Sequence, residues 1–302
     1  MRVNPVKNRS EILFIYDVKW ANPNGDPLDE NRPRFDDETS KLFVTDVRLK
    51  RTVRDYLADY YNETLWVSGE AEVPDKRVKT LKIENLEDAC QKCIDIRLFG
   101  AVIPQKKSGA SETSIVGPVQ FRYGTSLHRV KMMTVQGTAA FATSSESKQR
   151  SFREDQLVPY ALIAFYGVVN QHSAAVTKLT EEDVSKLLEG MWIGTKNLIT
   201  RSKMEHNPRL LMRVVYKEGV NYHCGELDYL VRVLSEKEDE ELRDVRELKL
   251  EVSPLVSSLE SLKEKIERIE YAIDPALTLS VNGEEKTFEN VFSEFPLKKL
   301  GW

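Results

Sequence analysis

The chain has 302 residues, of which 41% are hydrophobic and 30% are charged, so it can bury a sizeable core as one large domain or two. No apolar run approaches the length of a membrane span, and the first ten residues lack the apolar stretch of a secretion signal. Three cysteines in a chain of this length do not form a disulfide framework. We therefore expect a cytoplasmic protein.

Charge is distributed unevenly along the chain. The formal net charge is −4, but residues 225–302 hold 11 basic and 19 acidic residues, a net charge of −8. Residues 1–224 therefore hold 33 basic and 29 acidic residues, a net charge of +4. An acidic C-terminal region thus masks a mildly basic body. Nucleic-acid binding depends on clusters of Lys and Arg. Local patches of positive charge, rather than the net charge of the whole chain, therefore indicate whether the protein binds nucleic acid.

The stretch from Asp17 to Tyr61 carries the strongest local signal. An apolar run at 11–18 predicts a strand, and the N-P-N-G-D-P cluster after it cannot continue one. A helix is predicted from Thr45, a favourable N-cap, with Asp46 in its first turn, where a negative charge suits the helix dipole.

One face of this helix is basic. It carries Arg48, Lys50, Arg51 and Arg54 with no acidic partner until Asp55, so i,i+4 pairing does not explain these cations. A charged, solvated face is the simpler interpretation of any amphipathic helix. However, the free N–H groups and dipole of a helix N-terminus, together with guanidinium forks, favour phosphate.

The rest of the chain alternates predicted strands and helices. Thr180 and Asp183 resemble a capping box at the start of the clearest helix, and apolar residues at 4-3-4-3 spacing predict another helix over 255–270. The order of elements is typical of an α+β domain. The other predicted elements are an extended segment at 65–73, a helix at 85–95, a strand hairpin within 119–142, a loop tip at 143–151, a buried strand or helix at 158–169, and strands at 210–216 and 229–234.

Several ordered motifs carry a family resemblance. Through them the chain resembles the backbone subunit of type I CRISPR effector complexes (Cascade, RAMP superfamily), most of all the Csh-type subunit of subtype I-B and next the Csd-type subunit of I-C. The resemblance covers roughly residues 10–218. The motifs are N-P-N-G-D-P with V-T-D-V-R-L-K-R (22–27, 44–51), D-I-R-L-F-G-A-V (95–102), G-P-V-Q-F-R-Y-G-T-S-L-H-R-V (117–130), F-R-E-D-Q-L-V-P-Y-A-L-I-A-F-Y-G (152–167), G-T-K-N-L-I-T-R-S-K-M (194–204) and P-R-L-L-M-R-V (208–214).

The resemblance implies an α+β fold in which a modified RRM- or ferredoxin-like palm carries an inserted fingers region and a long thumb β-hairpin. By the order of the motifs, residues 1–62 and 157–234 would form the palm. Residues 63–115 would form the fingers and residues 116–156 the web and thumb hairpin. Residues 235–302 would form an acidic C-terminal region with a helix.

Two groups of residues invite a metal-site or nuclease assignment. Cys90 and Cys93 form a C-x-x-C pair, but no second pair completes a zinc site, and core packing in a helix is the better interpretation. Acidic residues of the first loop are candidates for the paired carboxylates of a metal-dependent nuclease, although a solvated acidic loop is commoner. Those residues are Asp26, Asp29, Glu30, Asp36, Asp37 and Glu38.

The four histidines have no metal-binding or acid–base spacing. For His128, beside Arg129, an RNA contact and a structural role both remain open. The resemblance adds that backbone subunits of type III complexes cut target RNA with an acidic loop residue, whereas those of type I do not cut. We expect no catalytic residue, no metal and no cofactor.

The best functional signal is a set of basic residues interleaved with aromatic and apolar ones. Cations that follow a backbone, with flat side chains beside unstacked bases, hold single strands without reading sequence; scattered surface charge is the alternative. With polar residues of the same motifs, the predicted RNA-binding set is Lys19, Trp20, Asn22, Asn24, Arg48, Lys50, Arg51, Arg54, Gln120, Arg122, Ser126, His128, Arg129, Met132, Met133, Lys148, Arg150, Lys196, Arg201 and Lys203.

The resemblance implies a non-catalytic subunit that polymerises along a CRISPR RNA (crRNA) and presents it for pairing with target DNA. The strand–loop–helix at the start would grip phosphates, while the thumb, with Met132 and Met133, would kink out one base at intervals. Implied partners are crRNA, neighbouring copies, the 5′-end cap subunit, the large and small subunits, the processing endonuclease and, through the guide, target DNA. The alternatives are a crRNA-processing endoribonuclease of the same superfamily and an assembly protein without RNA contact.

Overall fold

The computed structural model describes residues 4–69, 72–104, 112–142 and 150–302. Within these ranges the helices are α1 (Asp46–Tyr61), α2 (Pro74–Thr80), α3 (Leu86–Lys92), α4 (Ile94–Phe99), α5 (Gln171–Thr177), α6 (Glu181–Lys196), α7 (Ser253–Glu260) and α8 (Phe288–Val291). The strands are β1 (Ser10–Ala21), β2 (Gly25–Asp26), β3 (Arg32–Pro33), β4 (Phe35–Asp36), β5 (Lys41–Val44), β6 (Gly100–Pro104), β7 (Glu112–Val116), β8 (Val119–Phe121), β9 (Gly124–Ser126), β10 (Met133–Ala142), β11 (Arg150–Val169), β12 (His206–Tyr216), β13 (Arg232–Leu234), β14 (Lys249–Glu251), β15 (Ile266–Ile273), β16 (Thr278–Val281), β17 (Glu284–Lys286) and β18 (Leu297–Lys299).

The main sheet is built around β1. It has the order β18-β15-β12-β1-β11-β9-β5-β4, and both β8 and β10 also pair with β11. β1 lies antiparallel to β11 and to β12, with Ser10 opposite Val169 on one side and Val215 on the other. Because β1 is flanked on both sides and packed on both faces, its first nine residues are all buried.

The two faces of this sheet pack against different parts of the chain. Alternate residues of β1, such as Phe14, join a core with apolar residues of α1 and α6. The intervening residues, such as Leu13, join a second core made largely by residues after 226, including Leu255 and Phe288. The alternation of side chains along a strand therefore produces a layer on each side of one sheet.

A third, smaller core lies under β6 and β7 and includes Cys90 and Cys93. Both cysteines are free and buried. Burial raises the pKa of both thiols, that of Cys93 to about 12. The expectation that this pair packs in a core is confirmed, since both side chains lie among apolar residues such as Ile83 and Ile96.

Several predicted elements are confirmed. The chain mixes helices with a largely antiparallel sheet, as expected for the α+β class. α1 begins after Thr45, and α6 begins with the predicted capping box, in which Thr180 and Asp183 exchange side-chain and backbone hydrogen bonds. The buried segment at 158–169 is a strand, the second half of β11.

The predicted helix over 255–270 is wrong. α7 ends at Glu260, and the sequence from Ile266 forms β15, which pairs with β12 from Tyr216 back to Leu210. The edge of β12 offers a row of backbone partners that a helix could not use, so tertiary pairing overrides the apolar spacing. Leu255 and Leu259 still face the core, but from a helix of only eight residues.

Three smaller predictions also need correction. Where the segment 65–73 is described it is irregular rather than extended, and it leads into α2 at Pro74. β8 and β9, within 119–142, do not form a hairpin with each other, because each pairs with β11. The strand predicted at 229–234 is shorter than expected, since only Arg232–Leu234 (β13) is extended.

Two strands of the acidic C-terminal region, β15 and β18, belong to the main sheet, whereas β14, β16 and β17 form a separate sheet with β13. β15 extends the sheet beyond β12, and β18 lies parallel to β15. The main sheet therefore includes strands from both sides of residue 235. None of the helices in the described ranges combines the length and apolarity that crossing a bilayer requires.

Candidate nucleic-acid interface

The packing of α1 on α6 places Arg48 against the chain that follows α6. Gly194 of α6 lies so close to α1 that a Cβ there would come within 3.3 Å of the Thr52 carbonyl oxygen and 3.1 Å of the Tyr56 Cβ. Because glycine permits this approach, Thr195 and Leu198 join Arg48 around one small pocket.

Hydrogen bonds tie two loops to the start of α1. The Asn24 Oδ1 accepts from the backbone N–H of Thr45, at 2.8 Å, and from its hydroxyl, at 2.9 Å. The backbone N–H of Asn22 donates to the Ser202 carbonyl at 2.8 Å, and the Lys203 Nζ donates to the Asn22 carbonyl at 3.2 Å. The loop after β1 and the loop after α6 therefore meet beside the first turn of α1.

Arg48 and Lys203 are two half-buried cations in this place. The Arg48 Nη2 donates to the Thr52 hydroxyl at 3.3 Å, and within the described ranges neither cation forms an ion pair. Burial is the main cause that lowers the pKa of Lys203, and Arg48 lowers it further. Burial also lowers the pKa of Arg48. Two partly desolvated, like-charged groups without a counterion in the described chain favour the approach of an anion.

His206 closes the inner side of this cation pair. Its ring stacks on Tyr16 at 5.9 Å between centroids, and its Nδ1 lies 3.2 Å from the Met204 carbonyl. Burial lowers the pKa of His206 to about 4, and the charges of Lys203 and Arg48 act in the same direction. The imidazole is therefore neutral and adds no charge to the site at neutral pH.

The other basic residues of α1 are ion-paired, contrary to the expectation that pairing does not explain them. Lys50 binds Asp46 at 2.8 Å, Arg51 binds Asp55 at 2.7 Å, and Arg54 binds the buried Asp95 at 2.9 Å. Lys50 and Arg54 also lie over the ring of Phe99. Arg54 ties the helix to α4, whereas Lys50 and Arg51 pair within α1. Arg48 is left as the basic residue of α1 without a carboxylate partner in the described chain.

Residues 226–244 neutralise three more predicted contacts. Lys19 pairs with Asp244, and Arg122 donates to both carboxylate oxygens of Asp228 at 2.7 Å. Arg129 is half-exposed and lies within 3.3–3.7 Å of three carboxylates, those of Glu238, Asp239 and Glu240. The carboxylates of residues 226–244 thus already serve as counterions for these side chains.

The remaining predicted contacts divide into structural and accessible residues. Ser126 and His128 are buried: the Ser126 hydroxyl accepts from the backbone N–H of Leu42 and donates to the His128 carbonyl, and the His128 Nε2 accepts from the backbone N–H of Leu162. Asn22 is also buried, and its backbone N–H and carbonyl form the hydrogen bonds that join the two loops.

Several other predicted contacts are exposed to solvent or lie on the β10–β11 hairpin. Trp20 and Met133 are exposed, Met132 packs partly on the first core, and Lys196 lies exposed in the last turn of α6. Arg201 pairs with Asp155, and the Gln120 Nε2 donates to the Gly117 carbonyl. Arg150 lies on β11 opposite Ala142. Lys148 lies outside the described residues.

Comparison with known proteins now decides the family. The family model described as CRISPR-associated protein Cas7 matches residues 8–253. The chain belongs to the Cas7 family. One relative, CRISPR-associated protein Cas7 of Haloferax volcanii, is 33% identical over 311 residues, which cover 92% of this chain and 90% of that protein.

Solved structures agree with this Cas7 assignment at the level of fold. A chain from a CRISPR RNA-guided surveillance complex in a pre-nicking state superposes with a TM-score of 0.60 and 14% identity, over 97% of this chain and 96% of that one. A chain from a second CRISPR RNA-guided surveillance complex gives a TM-score of 0.55 and 16% identity, over 96% and 94%.

Several residues of this Cas7 site were missing from the predicted set. Tyr16, Thr52, Thr195 and His206 surround Arg48 but are uncharged or buried, so a search for exposed cations passes over them. Thr195 and His206 do lie in or next to the motif that begins at Gly194. Their position in or next to this motif is the one signal in the sequence that indicates Thr195 and His206.

Two of the nuclease candidates, Asp26 and Asp36, have structural partners in this Cas7 chain. Asp26 accepts from the backbone N–H of Leu28 and pairs with Arg34 at 2.9 Å, and Asp36 accepts from the Glu38 backbone and the Thr39 hydroxyl. These carboxylates shape the turns of their own loop. His128 and His206 are both buried, and burial lowers the pKa of each.

Proposed function

We propose that this Cas7 protein is a non-catalytic backbone subunit that binds crRNA through Arg48 and Lys203, polymerises along it and presents it for pairing with target DNA. The observation that carries the proposal is the pair of half-buried cations without a carboxylate partner in the described chain. Folding desolvates these charges without compensating them, and a phosphate would supply the missing counterion.

The topology supports the assignment of a palm. The order β12-β1-β11-β9, with α1 and α6 against one face, is that of a ferredoxin-like βαββαβ unit. α1 follows β1 through the loop at 22–44, and α6 precedes β12. The phosphate site then lies at the junction of the palm's first loop, its first helix and the segment that leads into its last strand.

The hairpin of β10 and β11 supports the assignment of a thumb. Its strands pair from Met133 opposite Leu157 to Ala142 opposite Arg150, and β11 continues into the palm. Met133 is exposed at its base, where an apolar side chain can wedge beside an unstacked base. We place the kinked base at this hairpin and the fingers at residues 63–115, which include the third core.

Membership of the Cas7 family supports an assembly built from repeated copies of this subunit. A head-to-tail contact that does not close into a ring generates a filament, and the guide would set its length. Partners would be crRNA, further copies, the other Cascade subunits and, through the guide, target DNA. Binding through phosphates needs no metal or cofactor, and base pairing would supply sequence specificity.

The structure sharpens the experiment that tests this proposal. Changing the whole basic face of α1 would break the Arg54–Asp95 ion pair and confuse unfolding with loss of binding. We therefore choose a variant with Arg48→Ala and Lys203→Ala. The matched control carries Lys263→Ala and Lys286→Ala, which removes the same charge from the C-terminal region.

Each protein is purified alone, and its absorbance ratio at 260 and 280 nm and its mass by light scattering are recorded. We expect wild type and control to carry RNA in large, RNase-sensitive assemblies, and the double variant to be folded but RNA-free. Binding of added single-stranded RNA should weaken steeply with salt. An RNA-free wild-type monomer that ignores added RNA at low salt would favour the assembly protein without RNA contact. Defined cleavage of repeat RNA would favour the endoribonuclease.

A further inference from the structure

A tight turn between β2 and β3 holds a leucine at its tip. Leu28 is 97% exposed, more than any other large apolar side chain in the described chain. Asp26 and Pro27 are residue types that favour a turn here, and the Asp26 Oδ1 accepts from the Leu28 backbone N–H at 3.0 Å. Leu28 therefore adds nothing to the core of its own chain, and its whole side chain is open to another molecule.

Hydrogen bonds and an ion pair hold this turn in one conformation. The Asp26 carbonyl accepts from the backbone N–H groups of Asp29 and Asn31, at 3.1 and 2.8 Å. The Asp26 side chain pairs with Arg34 at 2.9 Å, and β2 pairs with β3 across the base of the turn. A single exposed leucine is ordinary on a protein surface, but one held on a rigid turn loses little conformational freedom when it binds. Leu28 is thus preorganised as an anchor for a partner.

The charges next to Leu28 favour a protein partner over nucleic acid. Asp29 and Glu30 follow it and are both exposed. The ion pair of Asp29 with Arg32 is long, at 3.9 Å, and leaves both side chains largely open to solvent. Two carboxylates beside the leucine repel phosphate and suit a surface that combines an apolar side chain with lysines.

Such a surface lies at α2, in the region proposed as the fingers. Val73 directly precedes the helix and is 67% exposed. Residues 74–82 hold four basic residues and one acidic residue, and three of the basic residues are exposed lysines, Lys76, Lys79 and Lys82. This surface offers both an apolar contact and a positive charge.

Exposed apolar residues near cations also occur after α6, at Ile199 and Met204. They are close in sequence to Lys203, which belongs to the proposed phosphate site, so bound RNA would compete with a protein there. The surface at α2 is therefore the better match for the turn. Because Leu28 and Val73 are each exposed in a single copy, a contact between them has to join two copies. A contact between two different surfaces of the same chain repeats head to tail.

We propose that the acidic turn (residues 26–31) docks on the basic surface (Val73, Lys76, Lys79 and Lys82) of a second copy of this chain. Leu28 packs against Val73, while the carboxylates that follow Leu28 face the lysines. This inference rests on the proposed polymerisation and names the two surfaces that join neighbouring subunits.

The first test reverses the charge of each surface in the full chain, freed of copurified RNA. One variant carries Asp29→Lys and Glu30→Lys, and the other carries Lys76→Glu and Lys79→Glu. Light scattering measures assembly on a long single-stranded RNA. Fluorescence anisotropy measures binding to an oligonucleotide of about eight nucleotides, which suffices for one copy.

We expect each charge variant alone to form much smaller assemblies than wild type, because its reversed surface meets a surface of the same sign. An equal mixture of the two variants should recover the wild-type mass. In an alternating filament each reversed surface meets a complementary one on its neighbour, at both of its contacts. Binding to the short oligonucleotide should match wild type for both variants.

The second test removes the apolar anchor without changing charge. Leu28→Ser should raise the protein concentration needed for half-maximal assembly about tenfold, with unchanged binding to the short oligonucleotide. The matched control is Val176→Ser on α5, where the valine is 64% exposed, and it should assemble like wild type. Circular dichroism of each variant excludes unfolding as the cause.

The outcomes separate this inference from the proposed function. Charge variants that assemble alone like wild type, or a mixture that fails to recover the wild-type mass, would overturn the contact while leaving polymerisation intact. Loss of short-oligonucleotide binding by the Lys76→Glu, Lys79→Glu variant would overturn it by assigning α2 to nucleic acid. A wild type that stays monomeric on the long RNA would overturn the proposed polymerisation together with this contact.

Discussion

The Arg54 Nε donates to the Asp95 Oδ2 at 2.9 Å, and both side chains are almost completely removed from solvent. Asp95 also accepts from the backbone N–H groups of Trp66 and Val67, at 2.6 and 3.0 Å. One carboxylate thus ties α1, the segment after it and α4 together. The pair gives the basic face of α1 a structural task that is separate from the anion site at Arg48.

We expect Arg54→Ala to lower the free energy of unfolding by about 3 kcal/mol, because it leaves the buried Asp95 charge without its cation. Arg51→Ala is the matched control, since its pair with Asp55 is more than 40% exposed on both sides, and it should cost less than about 1 kcal/mol. Urea unfolding followed by circular dichroism measures both. Equal midpoints for the two variants would show that the buried pair adds nothing.

Arg48→Met should separate binding from stability. The methionine keeps an apolar chain against the pocket at Thr52 and Leu198 but removes a desolvated charge, so the RNA-free protein should be as stable as wild type or more stable. RNA affinity should fall about tenfold, and the slope of log affinity against log salt should decrease by about 0.7. Thermal melts and titrations at several salt concentrations test this prediction. A less stable variant with unchanged affinity would contradict the anion site.

Neutralising the acidic residues around Arg129 should strengthen RNA binding. In the triple variant Glu238→Gln, Asp239→Asn and Glu240→Gln, Arg129 loses its three carboxylate partners and becomes available to phosphate. We expect a few-fold gain in affinity and a salt slope steeper by about 0.7. The control is Glu284→Gln, Glu285→Gln and Glu294→Gln, with the same change of charge. Equal gains in both triple variants would indicate a long-range effect of net charge instead.

His206 should make folding sensitive to mild acid. Its pKa is about 4 in the folded chain, below the ordinary value of about 6.5, because burial and then Lys203 and Arg48 disfavour its charged form. As the pH falls from about 6.5 to 4, the unfolded chain takes up a proton that the folded chain does not, so stability decreases. Urea unfolding at pH 7 and pH 5 should show a smaller loss for His206→Asn than for wild type. Identical losses would mean that His206 titrates normally in the fold.

The local elements of this fold could be predicted because their causes lie within a few residues. The apolar run of β1 and the capping box of Thr180 with Asp183 act over one or two turns, whereas Thr45 begins α1 without a side-chain cap and its hydroxyl donates to Asn24. The strand β15 could not be predicted from the sequence, because Ile266 and Ile269 repeat at a spacing that also suits a helix. Only the open edge of β12, distant in sequence, selects the strand.

The candidate site was predicted in part for the same reason. Arg48 and Lys203 stand in motifs that the sequence makes visible, but their distinction from neighbouring cations depends on carboxylates elsewhere in the chain. Arg54 meets Asp95 across 41 residues and Lys19 meets Asp244 across 225. The pairs of Lys50 with Asp46 and of Arg51 with Asp55, each four residues apart on α1, could have been recognised without a structure.

The 20-residue strand β11 has a mechanical consequence. Its C-terminal half lies in the middle of the main sheet, while its N-terminal half extends past the sheet edge as one leg of the hairpin. The projecting half of the strand is about 20 Å long. It cannot bend where it leaves the sheet without breaking backbone hydrogen bonds between β11 and β1. Opening the hairpin like a clamp would therefore cost backbone hydrogen bonds to β1. If the chain polymerises as proposed, we expect each new subunit to dock with its hairpin already formed at the growing end of the filament, which would give assembly a fixed direction along the guide.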